Sequence, residues 1–339
     1  MKPSLNSVST LAIAFASSAL FVLLSVPLGE MFGSIIAIIL LSKWGIKTKV
    51  PTHTLIFVQL ALGLSVGGLI PPSFFATGFP LTMLIGLVVC MSLQVLCGYW
   101  LLQRFSWSKS DSLLASIPGA MAAVMVLNES QKTPSAKVIF VHTFRLIFLI
   151  LLSGLLVSQQ SSGGLLEQPL GFNVSAFLLA FLLAGGTGVL LDKLGIPAPY
   201  MVTGMLVGIG LNGFFPELDL TISPIIMMVA ISALGAVMGM RLSKITLTEF
   251  RYFTFSSLCV TLLSLSVTFV CAFAFSFWLD KPFIVLSLSW MPGSIEAMTV
   301  AALYLGLEPA LIMLSHVIRM MILHMVPVVA LAVKPKQSQ

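Results

Sequence analysis

Apolar residues along the chain fall into two successive sets of six blocks. The first set lies at roughly 8–28, 30–42, 52–70, 80–103, 112–127 and 136–157, and the second at 174–191, 197–212, 222–240, 252–279, 283–305 and 309–333. Most blocks approach the ~20 residues a helix needs to cross the hydrocarbon core of a bilayer. Between the sets runs a polar Gly/Ser/Gln stretch, Ser158–Asn173. The pattern predicts an all-α, polytopic membrane helix bundle made by tandem duplication: a first membrane repeat over 1–157, a linker over 158–173 and a second repeat over 174–339.

The duplication is written most clearly in two matching stretches. Pro118-Gly119-Ala120-Met121, followed by Ala136, His142 and Arg145, returns 174 residues later as Pro292-Gly293-Ser294-Ile295-Glu296, followed by Ala310, His316 and Arg319. Smaller echoes agree: Leu62-Gly63 and Gly67 match Leu234-Gly235 and Gly239, and Cys97 matches Cys271. Proline removes a backbone donor and clashes with the preceding turn. In a bilayer such a break survives only where the freed backbone is buried in protein or lines a cavity. Residues 112–127 and 283–305 are therefore expected to be re-entrant.

Equivalent loops differ in charge. Ser42–Pro51 carries Lys43, Lys47 and Lys49, whereas its partner Asn212–Thr221 carries Glu217 and Asp219. Pro71–Phe79 is uncharged, whereas Arg241–Arg251 holds Arg241, Lys244 and Arg251. Basic loops face the cytoplasm, so matching loops lie on opposite sides and the repeats are expected to be inverted. Each repeat then has about five crossings plus one re-entrant Pro-Gly segment, with both termini cytoplasmic and only Lys281 outside. A rival topology makes the short blocks 30–42 and 197–212 re-entrant, which exports Lys132 and Lys137.

Composition narrows the function classes. The 339 residues are 58% hydrophobic and 8% charged, with a net charge of +6. Lys and Arg are scattered singly between apolar blocks, so the charge gives no nucleic-acid footprint, and direct DNA binding is not expected. The first block has the length of a signal peptide but lacks a small-residue cleavage site, which predicts a retained helix. Cys90, Cys97, Cys259 and Cys271 all lie in apolar runs without CxxC spacing, and are read as packed thiols. The four histidines (His53, His142, His316 and His324) show no metal-site spacing beyond the loose His316/His324 pair. No metal, cofactor or monooxygenase chemistry is expected.

The candidate site residues are Pro118, Gly119, His142, Arg145, Pro292, Gly293, Glu296, His316 and Arg319. An ionised Arg at mid-bilayer costs about 2.5 kcal/mol or more. Arg145 and Arg319 could snorkel to headgroups or clamp a loop carbonyl; the other reading is a buried polar site, either locking the halves together or binding a ligand. A His one turn before each Arg shares its helix face and is expected to be neutral beside the cation. Glu296 follows the second break, where a half-helix N-terminus favours a carboxylate. It is a candidate partner for a buried Arg, and its first-repeat counterpart is Ala122. His324 is read as structural, and the GxxxG pairs Gly63/Gly67 and Gly235/Gly239 as close helix packing.

The Pro-Gly-x-x-Glu-x-Met element at Pro292–Met298 followed by His316-Val317-Ile318-Arg319 resembles the bacterial AbrB-type integral membrane family, over about residues 10 to 333. The first repeat departs from the motif in lacking the acid. The resemblance implies a duplicated membrane module, often labelled ammonia-monooxygenase-like or a regulator, with some association with regulation of gene expression. The family shares its name with a small soluble DNA-binding regulator that this chain does not resemble. Two functions follow as expectations. One is a secondary transporter-like carrier of a small, anionic solute in the bacterial inner membrane. The alternative is a membrane-embedded regulator acting through a partner. Beyond the lipid bilayer and an unidentified solute, the pattern allows a homo-oligomer.

Overall fold

The computed structural model describes residues 5–26, 28–51, 53–69, 80–119, 124, 135–158, 173–196, 198–215, 218, 220, 222–243 and 247–333, with side chains described except at 157–158, 247–250 and 324–333. Lys2, Lys132, Glu217, Asp219, Lys244, Lys334, Lys336 and the side chain of His324 lie outside the described residues. Among the described residues there are thirteen helices and no strand. The protein is a polytopic membrane helix bundle; five of the helices are long and apolar enough to cross a bilayer on their own.

The helices recur in order. In the first half they are α1 (Ser7–Leu23), α2 (Gly29–Lys43), α3 (His53–Leu69), α4 (Leu81–Arg104), α5 (Lys109–Ser116) and α6 (Ala136–Ser158). In the second they are α7 (Val174–Lys193), α8 (Pro199–Phe214), α9 (Pro224–Leu242), α10 (Leu247–Leu279), α11 (Phe283–Trp290), α12 (Ile295–Tyr304) and α13 (Pro309–Val333). Local chemistry recurs with them. An asparagine caps α1 and α7: Asn6 Oδ1 accepts from Ser9 N at 2.8 Å, and Asn173 Oδ1 from Ala176 N at 3.1 Å. Such caps satisfy donors that a helix start leaves open.

The turns repeat too. Left-handed residues punctuate the α1–α2 corner at Ser25 (φ 56°) and Leu28 (φ 53°), and the α7–α8 corner at Gly195 (φ 73°) and Ala198 (φ 50°). The ends of α4 and α10 are marked by Ser106 (φ 59°) and Asp280 (φ 48°). The first apolar block, expected to run to residue 28, ends as a helix at Leu23 because the Ser25 and Leu28 conformations cannot continue it.

The chain divides into two compact units, and each draws on both halves of the sequence. Unit 1 comprises Met1–Gly78, Leu151–Ile245 and Glu296–Ala310. Here α3 packs on α8 and α9 packs on α2. The glycines permit this. A Cβ at Gly63 would overlap the Met201 carbonyl, and one at Gly235 would overlap the Met31 carbonyl. Along α2 and α9 the contacts climb together, from Met31 with Gly235 to Ile38 with Gly239, then Thr48 Oγ1 to Met240 Sδ at 3.0 Å. Those two helices run parallel. So do α3 and α8, where Gly63 meets Met201 and Gly67 meets Met205 and Gly208. Polar side chains close the corners: Ser18 and Ser34 bond across α1 and α2 at 2.6 Å, and Thr203 Oγ1 donates to Ala184 O at 2.8 Å between α8 and α7.

Unit 2 comprises Phe79–Ile150, Thr246–Ile295 and Leu311–Gln339. Its spine is the pair α4 and α10, which run antiparallel. A Cβ at Gly86 would lie 3.0 Å from the Phe275 ring, and one at Gly98 3.3 Å from Val260. Near the far end the Phe105 and Phe255 rings meet edge-on at 5.8 Å. Around this spine α5, α6 and α4 share an apolar core that includes Met91, Leu102, Trp107, Leu114, Val138 and Val141.

Candidate functional site

The site is built at the two places where proline interrupts a helix. Helix α5 stops at Ser116 and helix α11 at Trp290. The residues that follow, Ile117 (φ −59°, ψ 123°) and Met291 (φ −62°, ψ 135°), take the extended conformation that a succeeding proline enforces. Each break strands the carbonyls of a helix C-terminus inside an apolar medium, where an unsatisfied group costs several kcal/mol.

Both breaks are sealed in the same way. On α6, His142 Nε2 lies 3.0 Å from Leu114 O, and Arg145 Nη2 donates to Ile117 O at 2.8 Å. On α13, His316 Nε2 lies 2.9 Å from Leu288 O, and Arg319 Nη1 donates to Met291 O at 2.6 Å. Arg319 Nη2 adds Gly293 O at 3.2 Å. In each pair the Arg Nη2 also stands 2.8 Å from the Nδ1 of its own His. Guanidinium N–H can only donate, so Nδ1 must accept and Nε2 must carry the proton that reaches the Leu carbonyl. The partners thus assign both imidazoles to the neutral Nε2–H tautomer.

The snorkelling alternative does not describe these arginines. Arg145 is 2% exposed, Arg319 1%, His142 3% and His316 0%, and their bonds go to main chain. Carbonyl clamping, one of the readings the sequence allowed, is what the first hydrogen bonds of each guanidinium do. Capacity remains beyond that. Arg145 Nη1 and Arg319 Nε are buried and have no hydrogen-bond partner among the described residues. Arg319 also reaches the first break: a Cβ on Gly119 would lie 3.3 Å from Nη2 and 3.4 Å from Nε. Gly119 (φ +88°) supplies both the left-handed turn and the open space. The arrangement concentrates positive charge and spare N–H donors at the breaks, and such a place can accept an anion.

The predicted residues are therefore divided. Pro118, Gly119, His142, Arg145, Pro292, Gly293, His316 and Arg319 all belong to unit 2. Glu296 belongs to unit 1, where its Oε1 accepts from Gln59 Nε2 of α3 at 3.1 Å. The expected Glu296–Arg pairing is replaced by that bond to a neutral amide.

Sequence reasoning passed over Gln94. It sits mid-way along α4, 2% exposed, and its Nε2 reaches Thr268 Oγ1 at 2.9 Å, Cys90 Sγ at 3.2 Å and Trp290 O at 3.3 Å. Gln94 and Arg319 thus hold the successive carbonyls of Trp290 and Met291 at the second break. The available signal was an amide inside a 24-residue apolar helix, aligned by the repeat offset with a Thr.

The family model described as "Transition state regulatory protein AbrB" matches residues 30–334. The chain belongs to the AbrB family. Among curated proteins it is similar to the "Putative regulator AbrB" of Escherichia coli (strain K12), 24% identical over 314 residues and covering 88% of each chain. The AbrB match takes in both breaks and both His–Arg pairs, so the site lies within the part of the chain that defines its kinship.

Proposed function

We propose that this AbrB-family protein is a secondary transporter-like carrier of a small anionic solute, built from two inverted membrane repeats. The observation that carries the reading is the antiparallel pairing of α4 with α10, its equivalent in the second half. In unit 1, α2 runs parallel to α9 and α3 to α8. The connection from α2 to α3, residues 44–52, is close to the length usual between antiparallel neighbours. If the repeats had the same orientation, all four helices would point one way; inversion removes the conflict. Inverted repeats with interrupted helices at matching places are the marks of alternating-access carriers.

Within that reading the His–Arg pairs hold the breaks rigid, and Arg145 Nη1 and Arg319 Nε, which have no hydrogen-bond partner among the described residues, are the donors left for the solute. Glu296 in unit 1, whose Oε1 accepts from Gln59 Nε2, is the candidate carrier of a coupling proton. The bias of Lys and Arg toward one set of loops supports an inner-membrane location with both termini in the cytoplasm. No catalytic role is assigned, since both site histidines are committed to structural bonds. The test is uptake of labelled small organic anions into proteoliposomes. Arg319→Ala should abolish uptake while Lys281→Ala leaves it intact. Equal uptake by protein-free liposomes across an anion panel would remove the reading.

A second reading is favoured by the name of the Escherichia coli relative: a membrane-embedded regulator that changes gene expression through a cytoplasmic partner. Crosslinking in intact cells that recovered one stoichiometric soluble partner, with no uptake activity, would put this reading first.

A further inference from the structure

One end of unit 2 gathers cations and aromatic rings from several helices. At the C-terminus of α4 the Arg104 guanidinium lies 4.8 Å from the Trp100 ring centroid. From the first turn of α6 the Lys137 ammonium lies 5.4 Å from the centroid of Trp107, which is itself buried. Lys109 is exposed in the first turn of α5. The loop between α4 and α5 is rigid: Gln103 Nε2 donates to Trp107 O at 3.1 Å and to Ser112 Oγ at 2.8 Å, and Ser108 Oγ accepts from Asp111 N at 3.0 Å. Among the side chains described at this end the acid is Asp111, outnumbered by Arg104, Lys109 and Lys137. Both α5 and α6 begin at this end, and their two positive helix ends outnumber the negative end of α4.

The surroundings are apolar. Leu96 is 63% exposed, Trp100 57% and Phe255 68%, and in a membrane helix bundle such faces meet acyl chains. Cations poised directly over Trp rings, with exposed apolar side chains one turn deeper, match the zone where lipid phosphates meet the hydrocarbon boundary. We propose that Arg104, Lys109 and Lys137, framed by Trp100 and Trp107, form a docking site for the headgroup of an anionic phospholipid.

Charge complementarity selects an anionic head over a zwitterionic one, and the exposed Leu96, Trp100 and Phe255 select a lipid over a water-soluble phosphate. Basic side chains beside a membrane surface draw anionic lipid in a roughly additive way. A lipid held here would brace the start of α5, whose other end is gripped by His142 and Arg145. The inference needs only the membrane reading and stands apart from the carrier proposal.

The test is native mass spectrometry of the detergent-purified, delipidated full chain titrated with phosphatidylglycerol, phosphatidylcholine or glycerol phosphate. The wild type should retain phosphatidylglycerol at least about tenfold more tightly than phosphatidylcholine, and retain no glycerol phosphate. Arg104→Gln/Lys109→Gln/Lys137→Gln should erase the preference. Arg104→Lys should keep it, as should the charge-matched control Lys43→Gln/Lys47→Gln/Lys49→Gln. Single variants Arg104→Gln and Lys137→Gln, each weakening binding severalfold, replace the triple variant if it does not fold. Equal retention of the two lipids, equal retention by wild type and the Gln variants, or binding of glycerol phosphate to the same level overturns the proposal.

Discussion

Gln94 and Thr268, which occupy equivalent positions in the two halves, hydrogen-bond to each other at 2.9 Å where α4 crosses α10. In the inverted arrangement proposed above, a residue meets its own counterpart near the two-fold axis that relates the repeats, and this bond would lie beside that axis. In a membrane helix pair an average polar contact contributes about 0.6 kcal/mol and a strong one about 1.7 kcal/mol. A double-mutant cycle of Gln94→Leu and Thr268→Val, read by reversible unfolding in mixed micelles, should give a coupling in that range. Strict additivity would show that the contact carries no energy.

The His–Arg pairs should dominate stability around the breaks. Arg319→Ala strands the Met291 and Gly293 carbonyls and the His316 Nδ1 together. A buried acceptor left without a donor costs about 1–3 kcal/mol, so the expected loss is about 3 kcal/mol or more. Arg319→Lys should lose less, because an ammonium can still reach one carbonyl but cannot fork across two. His316→Gln should fall between, keeping a donor for Leu288 O while giving up the Arg319 contact. Thermal unfolding in nanodiscs ranks the three; a destabilisation by Arg319→Ala below that of His316→Gln contradicts the clamp.

Gly119 should resist substitution for two separable reasons. Its φ of +88° is strained for any L-residue, and a Cβ would press on the Arg319 guanidinium at 3.3 Å. Gly119→Ala should cost about 1–2 kcal/mol. Combined with Arg319→Ala, part of that cost should vanish, since the guanidinium is no longer in the way. Fully additive losses would assign the whole cost to the backbone.

The packing glycines should divide sharply by place. Gly63→Ala and Gly235→Ala drive a methyl into the Met201 and Met31 carbonyls and should each lose about 1–3 kcal/mol. At Gly210 an added methyl would meet nothing within 4 Å, so Ala should be accepted there with unchanged or raised stability, by up to about 1 kcal/mol. Melting temperatures of the three single variants in one detergent decide it.

Much of this was legible in the chain itself, because the costly residues are few. Proline in an apolar run announces a break wherever it lies, and a buried His–Arg pair repeated at one spacing announces that both breaks are treated alike. The pairing of Gly63 and Gly67 with Gly235 and Gly239 pointed to close helix contact for the same reason. What stayed hidden depends on which helix meets which. Nothing in the apolar blocks says that α3 seeks α8, or that α1–α3 and α7–α9 make one unit while the breaks lie in another. Charge makes Glu296 a candidate partner for a buried arginine, whereas folding gives it Gln59. The left-handed Ser106 carries no sequence signal, whereas Asp280 is of a type that tolerates that conformation.

Inversion of the repeats is the claim on which the carrier reading rests, and those same two residues test it most directly. Both are exposed and end equivalent helices. In a background with Cys90, Cys97, Cys259 and Cys271 replaced by Ala, Ser106→Cys and Asp280→Cys would each be treated with a membrane-impermeant maleimide in sealed inside-out and right-side-out vesicles. Ser106→Cys should label only from the cytoplasmic face and Asp280→Cys only from the opposite face; labelling of both from one face would contradict the inverted arrangement.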